Sequence, residues 1–102
     1  MEVEHIRLPE KVIVVTGFGS GLGREIAVHL ARDGARIVGF SRDPARGAQT
    51  ANLIQADGGN AFFVPTDVRD SAQVASGMAS AAAHFSSDPA VPKTKAPAWW
   101  AI

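Results

Sequence analysis

Hydrophobic and polar positions follow two rhythms that alternate along the chain. Val12-Ile13-Val14-Val15 is a run of four β-branched residues, too short for a helix, set between Lys11 and a glycine-rich stretch. It predicts a strand buried on both faces. Leu22, Ile26, Ala27 and Leu30 then recur at helical spacing, and Asp33-Gly34 stops that helix, with Gly34 suited to a left-handed C′ position. Ala35 to Phe40 reads as a second strand. Asp43 as N-cap and Pro44 as first helical residue open a second helix. It runs to Ala56 with Ala48, Ala51 and either Ile54 or Gln55 facing inward, and Asp57-Gly58-Gly59-Asn60 ends it. Ala61 to Val64 is a third strand, closed by Pro65. Asp70 and Gln73 make a capping-box-like start to a third helix, whose stripe is Val74, Met78, Ala81, Ala82 and Phe85. Gly77 weakens that helix by about 1 kcal/mol relative to alanine.

Between the first strand and first helix, glycines fall at 17, 19, 21 and 23. Glycine lets a backbone turn sharply and approach a ligand closely. A helix start offers unpaired N–H groups and partial positive charge, which together suit a pyrophosphate. The spacing is not G-x-G-x-x-G, because Leu22 and Arg24 stand where glycine would be needed, and no G-x-x-x-x-G-K-[ST] is present. What stands is T-G-x-x-x-G-x-G from Thr16 to Gly23. It resembles the nucleotide-binding motif of the short-chain dehydrogenase/reductase family.

That resemblance implies an α/β, three-layer Rossmann-type fold that binds a nicotinamide dinucleotide. With 102 residues, six strands and their helices would not fit. The expectation is a truncated βαβαβα half with a parallel three-stranded sheet. In the phosphate turn, Gly17, Gly21 and Gly23 shape the backbone, Gly19 lies within it, and Ser20 and the N–H of Leu22 meet phosphates. A ligand-free glycine loop is the alternative, and the strand–turn–helix context argues for the binding reading.

The end of the second strand bears on cofactor choice. The NAD form of a dinucleotide fold places an acidic side chain there for the adenosine ribose. Here Ser41 and Arg42 stand instead. Serine does not repel a 2′-phosphate and arginine pairs with one, which favours NADP over NAD, with Arg46 as a second contact. The bland alternative is that both arginines are solvated surface charges. The resemblance also places Asp67 and Val68 along the adenine, the aspartate towards its amine. Asp67 capping the next turn is the competing use.

Ten basic and ten acidic residues cancel, so no basic field points to nucleic acid. There are no cysteines, no signal-peptide pattern at Met1 to His5, and no apolar run of membrane-span length. A cytoplasmic chain is expected. His5, His29 and His84 are scattered without metal-ligand spacing, so no metal site is assigned. The chain has no tyrosine, and therefore lacks the Tyr-x-x-x-Lys pair that the resembled family uses for proton transfer. No catalytic residue is assigned, and Lys93 and Lys95 do not replace that lysine.

From Ser86 onward three prolines interrupt the pattern before Trp99-Trp100. Residues 1–85 read as a partial NAD(P)-binding domain and 86–102 as a Pro-rich, disordered tail. The resemblance covers only the cofactor-binding half, as a truncated or alternatively terminated product would. Without a fourth strand the first strand becomes an open edge. Self-association, or pairing with a full-length homologue, is then expected. A regulatory or interaction protein working through that edge and the Trp-Trp tail is the second functional reading.

Overall fold

The structure, a computed structural model, describes residues 11–86 and 99–101. Its elements alternate in the order β1 (Val12–Thr16), α1 (Gly21–Arg32), β2 (Arg36–Ser41), α2 (Pro44–Ala56), β3 (Asn60–Pro65), α3 (Ser71–Ser86) and β4 (Trp99–Ala101). The strands pair in parallel in the order β3-β2-β1-β4. Parallel neighbours cannot be joined by hairpins, so a helix makes each crossover from β1 to β2 and from β2 to β3. The α/β half with its parallel three-stranded sheet is therefore present as read.

The period of two along each strand divides the core. Ile13, Val15 and Ile37 face one side, against Ala27 and Ala31 of α1 and Ala51 and Ile54 of α2. Val12, Val14, Val38 and Phe40 face the other, against Ala81 and Phe85 of α3. Both faces of β1 and β2 are covered, which is why Val12–Val15 reads as continuous apolar sequence rather than as an alternating pattern. The result is three layers, with α1 and α2 on one face of the sheet and α3 on the other.

Several inward assignments change. Leu22 is 76% exposed because it lies in the first turn of α1, before the helix meets the sheet. Ala51 and Ile54 are buried as expected, but Ala48 and Gln55 are exposed, and Gly47 and Thr50 complete the buried stripe of α2 at helical spacing. Gly47 is inside because the ring of Phe63 fills the space a side chain would need. Ala82 is exposed, while Gly77 is buried and brings α3 against Phe40 and Thr66. Gly77 thus serves close packing as well as costing helix propensity.

The segment read as a tail differs at both ends. Ser86 remains in α3, residues 87–98 lie outside the described residues, and Trp99–Ala101 form β4. The register is Val12↔Trp99, Ile13↔Trp100 and Val14↔Ala101. Over these positions β1 is flanked on both sides and is not the open edge expected from sequence. The physical reason is general: an apolar strand edge carries N–H and C=O groups that any parallel backbone can satisfy, whatever its side chains. Among the described residues, no helix is long and apolar enough to cross a membrane.

Candidate functional site

A cleft of about 400 Å³ opens at the carboxyl ends of the three long strands. Its walls are the turn after β1, the end of β2 with the start of α2, and the segment after β3. In open parallel α/β sheets, ligands bind at this end.

The turn after β1 is built on two left-handed glycines, Gly17 at φ 64° and Gly21 at φ 53°. Open space lies where a side chain on either would project. Gly23 is needed for a different reason: a Cβ there would overlap the carbonyl of Gly17, so α1 packs directly on the turn. At Gly19 a Cβ would come within 2.9 Å of Ser41 Oγ and 3.0 Å of Arg46 Cβ, which brings the turn against the β2–α2 junction. Phe18, fully buried, fastens the turn from below. Its N–H donates to the Phe40 carbonyl at 3.2 Å, and its ring stacks on Phe63 with centroids 6.0 Å apart.

Ser20 is the N-cap of α1 in extended backbone, and its hydroxyl makes no capping bond. The first turn of α1 has no acidic residue. Its leading N–H groups, that of Leu22 among them, have no acceptor within the helix and carry the positive end of the helix dipole uncompensated. The Leu22 side chain points away to solvent.

At the end of β2, Ser41 is half-buried and its Oγ accepts the Asp43 N–H at 3.2 Å. Arg42 and Arg46 are exposed along the rim of the cleft. The acid beside them, Asp43, is turned into the start of α2. Its Oδ1 accepts the N–H groups of Ala45 at 3.1 Å and Arg46 at 3.2 Å, and Oδ2 lies 3.7 Å from Arg46 Nε. An anion on this rim meets guanidinium groups, with the nearby carboxylate already bonded.

After β3, Thr66 is buried, with its N–H on the Ser41 carbonyl at 2.9 Å and its hydroxyl on the Val64 carbonyl at 3.0 Å. Asp67 faces Arg69. Oδ1 accepts the Arg69 backbone N–H at 2.9 Å and Nε at 3.1 Å, and Oδ2 accepts Nη2 at 3.0 Å. The side-chain bonds from Arg69, then its backbone N–H, lower the Asp67 pKa from 3.8 to about 2, with a smaller contribution from Arg42. The same pairing raises the Arg69 pKa. Asp67 thus caps the turn that follows it, through the Arg69 N–H, while α3 is capped by Asp70, whose Oδ1 accepts the N–H groups of Ala72 and Gln73. Gln73 also reaches back to accept the Asp67 N–H at 2.9 Å, which fixes the segment that carries Asp67 and the half-exposed Val68.

The cleft thus gathers Gly17, Gly19, Ser20, Ser41, Arg42, Asp67 and Val68 from three separate stretches of sequence. Gly21, Leu22 and Gly23 stand behind its wall, in the first turn of α1. Sequence reasoning missed Arg69, Thr66 and Phe18. Arg69 was within reach, since an aspartate commonly accepts the N–H two residues on. Phe18 had a weaker signal: a large apolar residue inside a glycine loop needs a space, and Gly39 supplies it.

The geometry agrees with the comparisons. A family model described as short chain dehydrogenase matches residues 11–88. Versicolorin reductase 1 of Dothistroma septosporum is 40% identical over 86 residues, 83% of this chain and 33% of that protein. Among solved structures, a hydroxysteroid dehydrogenase from Escherichia coli superposes with a TM-score of 0.76 at 29% identity, covering 78% of this chain and 34% of that one. A metagenomic short-chain oxidoreductase in complex with NADP superposes with a TM-score of 0.70 at 32% identity, covering 76% and 35%. The chain spans about a third of the length of these proteins. Strand order, the left-handed glycines of the phosphate turn and the family match lead to one conclusion: this chain belongs to the short-chain dehydrogenase family of oxidoreductases.

Proposed function

We propose that the cleft binds a nicotinamide dinucleotide, in its 2′-phosphorylated form, NADP, ahead of NAD. The observation that carries this reading is the pairing of two ends of one cleft. One end is a glycine turn on an uncompensated helix N-terminus; the other is a rim with Arg42 and Arg46 and no free acid at Ser41. The span from one to the other suits a ligand with phosphates at two places. The NADP complex of a similar oxidoreductase supports the same assignment.

In this reading Ser20 and the leading N–H groups of α1, including that of Leu22, hold the pyrophosphate. Gly17 and Gly21 let the backbone approach it, and Gly23 seats α1 on the turn. Ser41 and Arg42 take the 2′-phosphate with Arg46 beside them, and Asp67 with the Val68 N–H holds the adenine. The bound nicotinamide would supply hydride transfer to or from a carbon. The alcohol or carbonyl partner of such a transfer needs a group to give or take a proton. This chain has no tyrosine and no Tyr-x-x-x-Lys. We therefore assign it cofactor binding, name no catalytic residue, and expect no turnover from these residues alone.

Titration of the purified chain with NADPH and NADH tests this. Saturable NADPH binding is expected, and Arg42→Ala should weaken NADPH by about tenfold while changing NADH little, as loss of one charge-assisted contact implies. Absence of saturable binding by either dinucleotide overturns the proposal.

A further inference from the structure

Arg24 follows the last glycine of the turn and does not line the cleft. Its guanidinium nevertheless joins the two walls. Nη2 donates to the Gly19 carbonyl at 3.0 Å and to Gln49 Oε1 at 3.1 Å, and Nε donates to Thr50 Oγ1 at 3.0 Å. Thr50 is buried, and its hydroxyl passes the connection on by donating to the Arg46 carbonyl at 3.2 Å. One side chain on α1 thus grips the phosphate turn through Nη2 and the α2 helix that carries Arg46 through both Nη2 and Nε. The absence of a side chain at Gly19 lets these parts meet at Ser41 and Arg46.

We infer that Arg24 is a positioning residue that fixes the distance between the two phosphate-binding ends of the cleft. This rests on the cofactor reading above and extends it. A ligand held at two places gains most when the places are set at the right spacing before it arrives, because the second contact then forms at high effective concentration and little ordering cost. A ligand held at one end has no such dependence. Lysine cannot replace Arg24 fully, since its single ammonium lacks the planar fork that serves three acceptors in different directions.

The test compares NADPH, which reaches both phosphate-binding ends, with adenosine 2′-monophosphate, which reaches the Ser41, Arg42 and Arg46 end and the Asp67–Val68 segment but not the glycine turn. Dissociation constants are measured on the full chain as wild type, Arg24→Ala, Arg24→Lys and Gln49→Ala. In Arg24→Ala, NADPH should weaken by about tenfold with adenosine 2′-monophosphate within about twofold of wild type. Arg24→Lys should fall between the two proteins. Gln49→Ala, which alters an exposed contact and keeps the fold, should show the same selective loss on a smaller scale. Equal weakening of both ligands would overturn the inference, since general loosening of the fold produces that result. Unchanged NADPH binding in Arg24→Ala would also overturn it. If the wild type binds neither ligand, the cofactor reading fails first and this inference with it.

Discussion

The ring of Phe18 lies in the space that Gly39 leaves open by having no side chain. A Cβ at residue 39 would overlap the ring, and the ring, fully buried and stacked on Phe63, has nowhere to retreat. A glycine in the middle of a buried strand is otherwise a cost in backbone entropy and lost packing. Here it lets an aromatic residue from the phosphate turn dock on the sheet. Gly39→Ala should lower stability by about 1–3 kcal/mol, the usual penalty for overpacking, or more. That corresponds to a drop of roughly 4–8 °C in Tm per kcal/mol for a domain of this size. Phe18→Leu combined with Gly39→Ala should recover part of the loss. Melting curves of the wild type and these two variants check this, and an unshifted Gly39→Ala would refute the packing account.

The glycines of the turn should not respond alike. Gly21 is left-handed with open space beside it, so Gly21→Ala meets only backbone strain, about 1–2 kcal/mol. Gly23 has no positive φ, but its Cβ would strike the Gly17 carbonyl, which is backbone and cannot rotate aside. Gly23→Ala should therefore cost more than Gly21→Ala and lift α1 off the turn. Denaturant midpoints rank the two, and an equal or reversed order would show that the close approach at Gly23 relaxes freely.

These contrasts also show what the sequence made legible. β1 could be read from four residues because a strand covered on both faces leaves no choice of rhythm. The phosphate turn was legible because glycine at fixed positions has few other uses. The inward face of α2 was read correctly at Ala51 and Ile54 and wrongly at Ala48, which hydrophobicity favoured, while the stripe passes through Gly47 and Thr50. Gly47 is set by the ring of Phe63, which fills the space a side chain would need and which sequence order alone does not announce, and Thr50 is buried with its hydroxyl satisfied. β4 was hidden for another reason: its pairing depends on backbone groups of β1, and a three-residue strand has almost no pattern of its own.

Asp67 provides a prediction in pH. Its pKa in the folded chain is lowered to about 2 from 3.8, first by the side-chain bonds from Arg69. A lowered carboxylate pKa means that the ionised form is favoured in the fold. Its contribution is therefore complete above the ordinary value of 3.8 and is lost as pH falls through about 2. Asp67 should stay charged throughout the neutral and mildly acidic range, so any loss of dinucleotide binding between pH 8 and about 5 has another cause. Carboxyl chemical shifts followed by NMR should give a midpoint near 2 in the wild type. Arg69→Ala should move it towards 3.8. A wild-type midpoint already at the ordinary value would remove Arg69 as the controlling neighbour.

β4 covers one edge of β1. Val12, Ile13 and Val14 are buried and their strand is paired on one side by β2 and on the other by Trp99–Ala101. Deleting residues 99–102 leaves that second side without its partner strand. Loss of a few ladder hydrogen bonds, each worth about 0.5–1.5 kcal/mol net, should destabilise the chain by about 2 kcal/mol. The freed edge is also apolar, so it should recruit a second copy. Sedimentation velocity across a concentration series should then show association that the full chain lacks at the same concentrations, together with a lower Tm. If the shortened chain melts and sediments like the full one, the three-residue strand contributes nothing to the fold, and β1 is protected by its helices alone.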